Sequence, residues 1–180
     1  MTLRQPVGTN PDHATLRRLF YHVAALSILG LALWLAIAGQ PPDISGQFRA
    51  VDGDSMRGPD GDIRLYGIDA PELHQTCLDS RSETYQCGRE SFRHLQMLMA
   101  GKPVHCRIFD QDRYRRAVAV CSAGTVELNR QMVEDGWATA YERLPSIYAA
   151  SEDRARAERR GLWQGYFERP RQWRDSERHH

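Results

Sequence analysis

The sequence predicts a small, mostly β, α+β barrel of five short strands with three helices, preceded by one N-terminal membrane segment. Three observations carry this expectation. Short apolar runs downstream of residue 47 are separated by turns containing Gly, Pro and Asp. Helical stretches stop at Gly101, Gly136 and Gly161, where a glycine can take the left-handed conformation that ends a helix. The first of these helices falls between strands, and strands and helices do not alternate as they would in a parallel βαβ sheet.

The N-terminal 1–18 reads as a cytoplasmic tail. From Leu19 to Ala38 the chain is apolar, interrupted by His22, Ser27 and small residues. Twenty helical residues span about 30 Å, the thickness of a bilayer core. Arg4, Arg17 and Arg18 precede this stretch and Pro41, Pro42 and Asp43 follow it, so the positive-inside bias sends the remainder across the membrane. Residues 19–39 are therefore expected to be a signal anchor or a signal peptide. Ala36-Ile37-Ala38 before Gly39 suits cleavage, whereas the length of the run suits an anchor.

Residues 40–46 read as a linker and 47–168 as the folded domain. Phe48 to Val51 leads into the turn Asp52-Gly53-Asp54, and Pro59-Asp60-Gly61 separates Ser55–Arg57 from Ile63–Ile68, giving a strand and a hairpin. Gly88 to Ala100 carries Phe92, Leu95, Leu98 and Met99 at helical spacing. Val104–Phe109 and Ala117–Ser122 form a second antiparallel pair across the polar stretch 110–116. Leu128, Met132 and Val133 stripe a second helix, and a third is expected from about Pro145 to Arg160. The last stretch, 169–180, reads as a polar tail.

Cys77, Cys87, Cys106 and Cys121 all follow the apolar segment, where exported thiols are oxidised. Their spacing contains no Cys-x-x-Cys knuckle, which favours disulfides over zinc. Cys106 and Cys121 lie on opposite strands of the second hairpin at similar distances from its turn, so the expected pairs are Cys77 with Cys87 and Cys106 with Cys121. The 180 residues hold 24 Lys+Arg against 23 Asp+Glu, so no bulk positive field marks a nucleic-acid binder and any polyanion site must be local. Lys102 is the sole lysine. Arginine's planar fork suits phosphate, although genome composition explains such a bias equally well.

Two acidic clusters, Asp52-Gly53-Asp54-Ser55 and Asp69-Ala70-Pro71-Glu72, sit at expected strand ends. Carboxylates about 4 Å apart repel by about 4 kcal/mol at an effective dielectric near 20, so convergence of Asp54, Asp69 and Glu72 calls for a cation. Oxygen-only donors select a hard one, calcium or magnesium. Arg64 precedes Asp69 on the same strand, and Arg113, Arg115 and Arg116 fill the polar loop. A metal, a water-orienting carboxylate and two guanidinium forks are the parts needed to attack a phosphodiester.

Val51-Asp52-Gly53-Asp54-Ser55, Ile63-Arg64-Leu65-Tyr66-Gly67-Ile68-Asp69-Ala70-Pro71-Glu72 and Asp112-Arg113-Tyr114-Arg115-Arg116 resemble three successive signatures of the thermonuclease, or staphylococcal-nuclease-like, family. The likeness continues through Leu128-Asn129, Gly136-Trp137-Ala138 and Arg159-Arg160-Gly161-Leu162-Trp163. It implies an OB-type five-stranded barrel, with one Ca2+ held by Asp54, Asp69 and the carbonyl of Ala70. Glu72 then matches the residue that orients or deprotonates water. Arg64 and Arg116 match the arginines on the reacting phosphate, and Arg113 and Tyr114 match contacts to a neighbouring phosphate. Arg115 stands where the family usually has Gly, and if that position is left-handed the side chain costs roughly 1–2 kcal/mol.

The resemblance implies a calcium-dependent endonuclease for DNA and/or RNA, monomeric, periplasmic or extracellular, with membrane contact through 19–39 if that segment is uncleaved. Alternatives are a non-catalytic nucleic-acid-binding barrel and a membrane-tethered partner-binding domain. His74 and His105 are isolated, and Trp137, Tyr141 and Trp163 are expected in the core or at its rim.

Overall fold

The computed structural model describes residues 13–38, 43–141 and 146–178. The chain divides into two units, Met1–Gln40 and Pro41–His180. The first contains α1, His13–Ala38, a 26-residue helix. Phe20, Leu26, Leu29, Leu33 and Trp34 are exposed on it, so within its own unit its apolar surface is uncovered. The expected membrane segment overlaps α1. Among the described residues, however, no helix is long and apolar enough to cross a membrane. The cleavage motif Ala36-Ile37-Ala38 and Gly39, with the tail 1–12, lies outside the described side chains or residues.

The second unit is a mixed α+β fold built on a sheet of more strands than expected. Its strands are β1 (Asp43–Gly46), β2 (Arg49–Ala50), β3 (Ser55–Gly58), β4 (Gly61–Leu65), β5 (Ile68–Asp69), β6 (Cys77–Leu78), β7 (Thr84–Tyr85), β8 (Val104–Gln111), β9 (Ala117–Ala123), β10 (Val126–Glu127) and β11 (Thr139–Ala140). Seven of them form one sheet in the order β1-β8-β9-β4-β3-β2, with β10 added to β9. β5 pairs with β11, and β6 with β7. The stretch read as a linker therefore holds a strand: Ile44 lies opposite Cys106 and Ser45 opposite His105. Four residues at a sheet edge carry too little apolar pattern to announce themselves.

The helices are α2 (Cys87–Met99), α3 (Leu128–Glu134), α4 (Ala149–Ala157) and α5 (Pro170–Glu177), with a 3₁₀ turn at Gly161–Gln164. α2, α3 and α4 are the three expected helices, α4 shorter than predicted at both ends, and the predicted start at Pro145 lies outside the described residues. α5 was expected to be tail. Pro170 occupies its first turn, where a missing N–H costs nothing, and is buried. Trp173 is its sole large apolar residue, so no periodic stripe marks it in the sequence.

Met56, Ile63, Leu65, Leu95, Val104, Leu128 and Tyr148 are among the residues that fill the core between sheet and helices. Both expected disulfides are present, Cys77–Cys87 and Cys106–Cys121. The second joins residues directly opposite on β8 and β9, and the first ties the start of α2 to β6. Trp137 packs at the edge of the core and Trp163 stacks edge-on against Phe167.

Candidate active site

The pairing of β4 with β9 is parallel, with Arg64 beside Val118, although the flanking pairs are antiparallel. This crossover brings Arg64 next to the loop that ends in Arg116. The tight return from β3 to β4 sets Ser55 opposite Arg64 and delivers Asp54 to the same place, with Leu65 N–H donating to the Asp54 carbonyl at 2.8 Å. β5 then carries Asp69 past the opposite side of the arginine. Asp54, just before β3, and Asp69, on β5, thus meet at one guanidinium.

Arg64 bridges two carboxylates: Nη1 donates to Asp54 Oδ1 at 2.7 Å and Nη2 to Asp69 Oδ1 at 2.9 Å. Both aspartates are buried. The backbone N–H of Ala70 donates to Asp54 Oδ2 at 2.9 Å, and Thr139 Oγ1 donates to the Asp69 carbonyl at 3.0 Å, so the acidic pair is held by main chain as well as by charge. The two aspartates raise the pKa of Arg64 further above its ordinary value, outweighing burial. Asp69 is pushed up, first by burial and then by Asp54. Asp52, behind the same turn, is pushed up to about 6 by burial and by the charge of Asp54. An excess of negative charge is concentrated in a small, poorly hydrated volume.

Glu72 follows β5 and its side chain is one-third exposed. Arg116 is oriented by Asp112, whose Oδ2 accepts from Nε at 2.8 Å, and by Ser55 Oγ at 3.3 Å from Nη1. Asp112 also accepts the backbone N–H groups of Tyr114 and Arg116, both at 2.9 Å. Those bonds hold its carboxyl below the usual range despite the opposing effect of burial and close the loop tightly. Arg115 sits inside this turn at φ 66°, the left-handed conformation that the glycine comparison anticipated. Arg113 lies over the exposed Tyr114 ring, 4.7 Å from its centroid, and bonds to its hydroxyl at 2.7 Å.

Arg64, Glu72, Arg113, Tyr114 and Arg116 line one groove of about 910 Å³ together with Asp52, Asp112, Tyr141, Arg171, Arg174, Asp175 and Arg178. Asp54, Asp69 and Ala70 are buried beside Arg64 and do not line it. The sequence reading missed Asp112 as an orienting group, although its place in the Asp112–Arg116 motif was visible. It also missed every residue of α5. Arg174 donates from Nη2 to Asp69 Oδ2 at 2.9 Å and Oδ1 at 3.0 Å, and from Nη1 to Glu72 Oε1 at 3.1 Å. No local signal points to it. Of the isolated histidines, His74 meets Trp173 edge-on at 4.8 Å between ring centroids and His105 bonds to Ser45 Oγ at 2.7 Å, both structural contacts.

A family model described as staphylococcal nuclease homologue matches residues 62–165, more than half of the chain. The chain belongs to the staphylococcal nuclease family. The match contains Arg64, Asp69, Ala70, Glu72, Arg113, Tyr114 and Arg116, whereas Asp54 precedes it and α5 follows it. Among relatives of this nuclease family member, the succinoglycan biosynthesis protein ExoI of Rhizobium meliloti (strain 1021) is 34% identical over 140 residues, covering 76% of this chain and 73% of that protein. An uncharacterized endonuclease of Escherichia coli O157:H7 is 34% identical over 129 residues, 67% of this chain and 78% of the relative. The probable staphylococcal-like nuclease CAN3 of Oryza sativa subsp. japonica is 35% identical over 120 residues, 64% of this chain but 29% of the much longer rice protein.

Proposed function

We propose that this family member is a calcium-dependent nuclease that hydrolyses phosphodiester bonds of DNA, RNA or both with little sequence specificity, outside the cytoplasm. The observation that carries the reading is the array in which Arg64 bridges Asp54 and Asp69 beside Glu72, with Arg116 braced by Asp112 and Ser55 on the same groove. Guanidinium forks preset at the position of a reacting phosphate stabilise developing charge without reorganisation. The family likeness supports the same reading, as do relatives named nuclease and endonuclease.

In this proposal Arg64 and Arg116 grip the scissile phosphate, Arg116 nearer the leaving oxygen, and Arg113 and Tyr114 take a neighbouring one. Glu72, one-third exposed at the groove wall, orients and deprotonates the attacking water. Contacts to phosphate carry no base information, so little sequence preference is expected. Among the described residues no three carboxylate, histidine or cysteine side chains form a ready metal cage. The donors there are nevertheless oxygen-only, as a hard cation requires, and Asp54, Asp69 and the Ala70 carbonyl would hold it by giving up guanidinium contacts from Arg64 and Arg174. Calcium there would neutralise phosphate charge and lower the pKa of bound water.

Two disulfides support an oxidising compartment, and the exposed apolar sides of α1 support export or retention at a membrane. Sequencing the mature N-terminus separates a cleaved signal, starting near Gly39, from an anchor. The activity is tested by digesting plasmid and RNA with the purified chain in calcium and then in chelator. Cutting that stops with chelator and falls by about a hundredfold to ten-thousandfold in Glu72→Gln is expected. Binding without cutting would instead show a non-catalytic module, and cutting indifferent to both changes would place the active site elsewhere.

A further inference from the structure

The groove has a wall outside the family match. α5 and its helical C-cap residue place Arg171, Arg174 and Arg178 at i, i+3 and i+7, within about 60° of one another around the helix axis. All three line the groove that also contains Arg64, Arg113 and Arg116. Six arginines thereby face four lining carboxylates, Asp52, Glu72, Asp112 and Asp175, in a protein whose overall charge is only +1. Glu72, Asp112 and Asp175 are already engaged by Arg174, Arg116 and Arg178.

The helix is fixed in this position from three sides. Pro170 is buried, Trp173 stacks edge-on against His74, and Gln75 Nε2 donates to the Glu168 carbonyl at 2.7 Å just before the helix. Arg174 and Arg64 share one oxygen of Asp69, at 3.0 and 2.9 Å. A phosphate that reaches Arg64 is thus within one carboxylate of Arg174. Arg178 is largely exposed and Arg171 partly so, leaving both able to follow a backbone along the groove.

We infer that α5 is a substrate-binding wall: Arg174 adds a third guanidinium at the reacting centre, and Arg171 and Arg178 hold flanking phosphates of the nucleic-acid backbone. This inference rests on the nuclease reading and adds a binding element to it. Arginine suits the task because its fork binds phosphate through two bonds and cannot lose its charge.

The test is fluorescence anisotropy with a 5′-fluorescein single-stranded DNA oligonucleotide and the full chain carrying Glu72→Gln, in calcium, over a salt series. Each phosphate contact on a single strand contributes about 0.7 to the slope of log affinity against log salt. Adding Arg171→Gln and Arg178→Gln should lower that slope by about 1.4 and weaken binding at low salt. Adding Arg174→Gln should also weaken binding, and an unchanged near-ultraviolet circular dichroism spectrum verifies the fold. Both replaced surface arginines lie away from the core, so the double variant remains informative even if Arg174→Gln misfolds. Parental affinity and slope retained in the double variant overturn the role of α5 alone. A Glu72→Gln parent that binds no oligonucleotide at low salt overturns the nucleic-acid reading itself, and this inference with it.

Discussion

Gly88→Ala asks whether Glu72 is positioned by the backbone beneath it. Gly88 is the second residue of α2, its N–H donates to the Gln75 carbonyl at 3.2 Å, and a Cβ built on it collides with the Glu72 carbonyl oxygen while standing 2.6 Å from the Glu72 carbonyl carbon. Cβ atoms essentially never approach another heavy atom more closely than 3.0 Å. The two segments must therefore part by roughly 1 Å, at an overpacking cost of about 1–3 kcal/mol. α2 is the stiffer partner, because Cys87 is fully buried and bonded to Cys77 and Leu95 is sealed in the core. The turn carrying Glu72 moves instead. A displacement of about 1 Å at a catalytic group lowers the rate about a hundredfold, and the strain lowers the melting temperature by roughly 2–10 °C for a chain of this size. Initial rates on a fluorescence-quenched oligonucleotide, with thermal melts, measure both. Gly101→Ala is the control: it is at φ +71° with nothing near its Cβ position, so it should cost stability and leave the rate intact. A Gly88→Ala enzyme with wild-type kcat would refute the reasoning.

Arg115→Gly should relieve roughly 1–2 kcal/mol of left-handed strain, offset by about 0.4–1 kcal/mol of unfolded-chain entropy, so melting should rise slightly and activity should hold or improve. A large loss of activity would assign the phosphate contact to Arg115 rather than Arg116. Arg64→Ala and Arg116→Ala should each slow cutting by about a hundredfold or more, but urea titration should separate them. Arg64→Ala leaves buried Asp54 without its cationic partner, while Asp69 keeps Arg174, at a cost of about 3–5 kcal/mol, whereas Arg116→Ala should unfold near the wild-type midpoint. Asp54→Ala should differ again, losing calcium affinity so that part of the activity returns as calcium is raised. Replacing Cys106 and Cys121 by Ser should cost about 3 kcal/mol in the chain-entropy model, read from denaturant melts of the oxidised proteins.

Local chemistry made much of this protein legible in its sequence. Turn residues and apolar runs located the hairpins, because turn geometry is set by the few residues that tolerate it. Glycines at 101 and 136 marked helix ends and hold positive φ, whereas the third helix stops earlier than expected, at Ala157, with Arg159 left-handed just beyond it and Gly161 opening the 3₁₀ turn. The cysteine pairs followed from hairpin register and compartment, and short motifs singled out Asp54, Arg64 and Asp69, which the fold brings together. Burial of the two aspartate partners of Arg64 makes its removal a question of stability as well as catalysis.

The tertiary structure decided what depends on contacts between distant segments. The parallel pairing of β4 with β9 brings Arg64 to the 112–116 loop, and no residue in either strand declares its partner. β1 is too short, and α5 too polar, to carry a period that survives inspection of the sequence. α5 is held by one proline, one tryptophan and an arginine whose carboxylate partners lie about a hundred residues earlier in the chain. The sequence by itself determined which acidic and basic side chains and motifs the chain carries, and with them its family, since these are properties of residue type and order. Only the folded chain determined that a fourth element closes over them, because an ion pair between distant residues depends on a distance that the linear order does not contain.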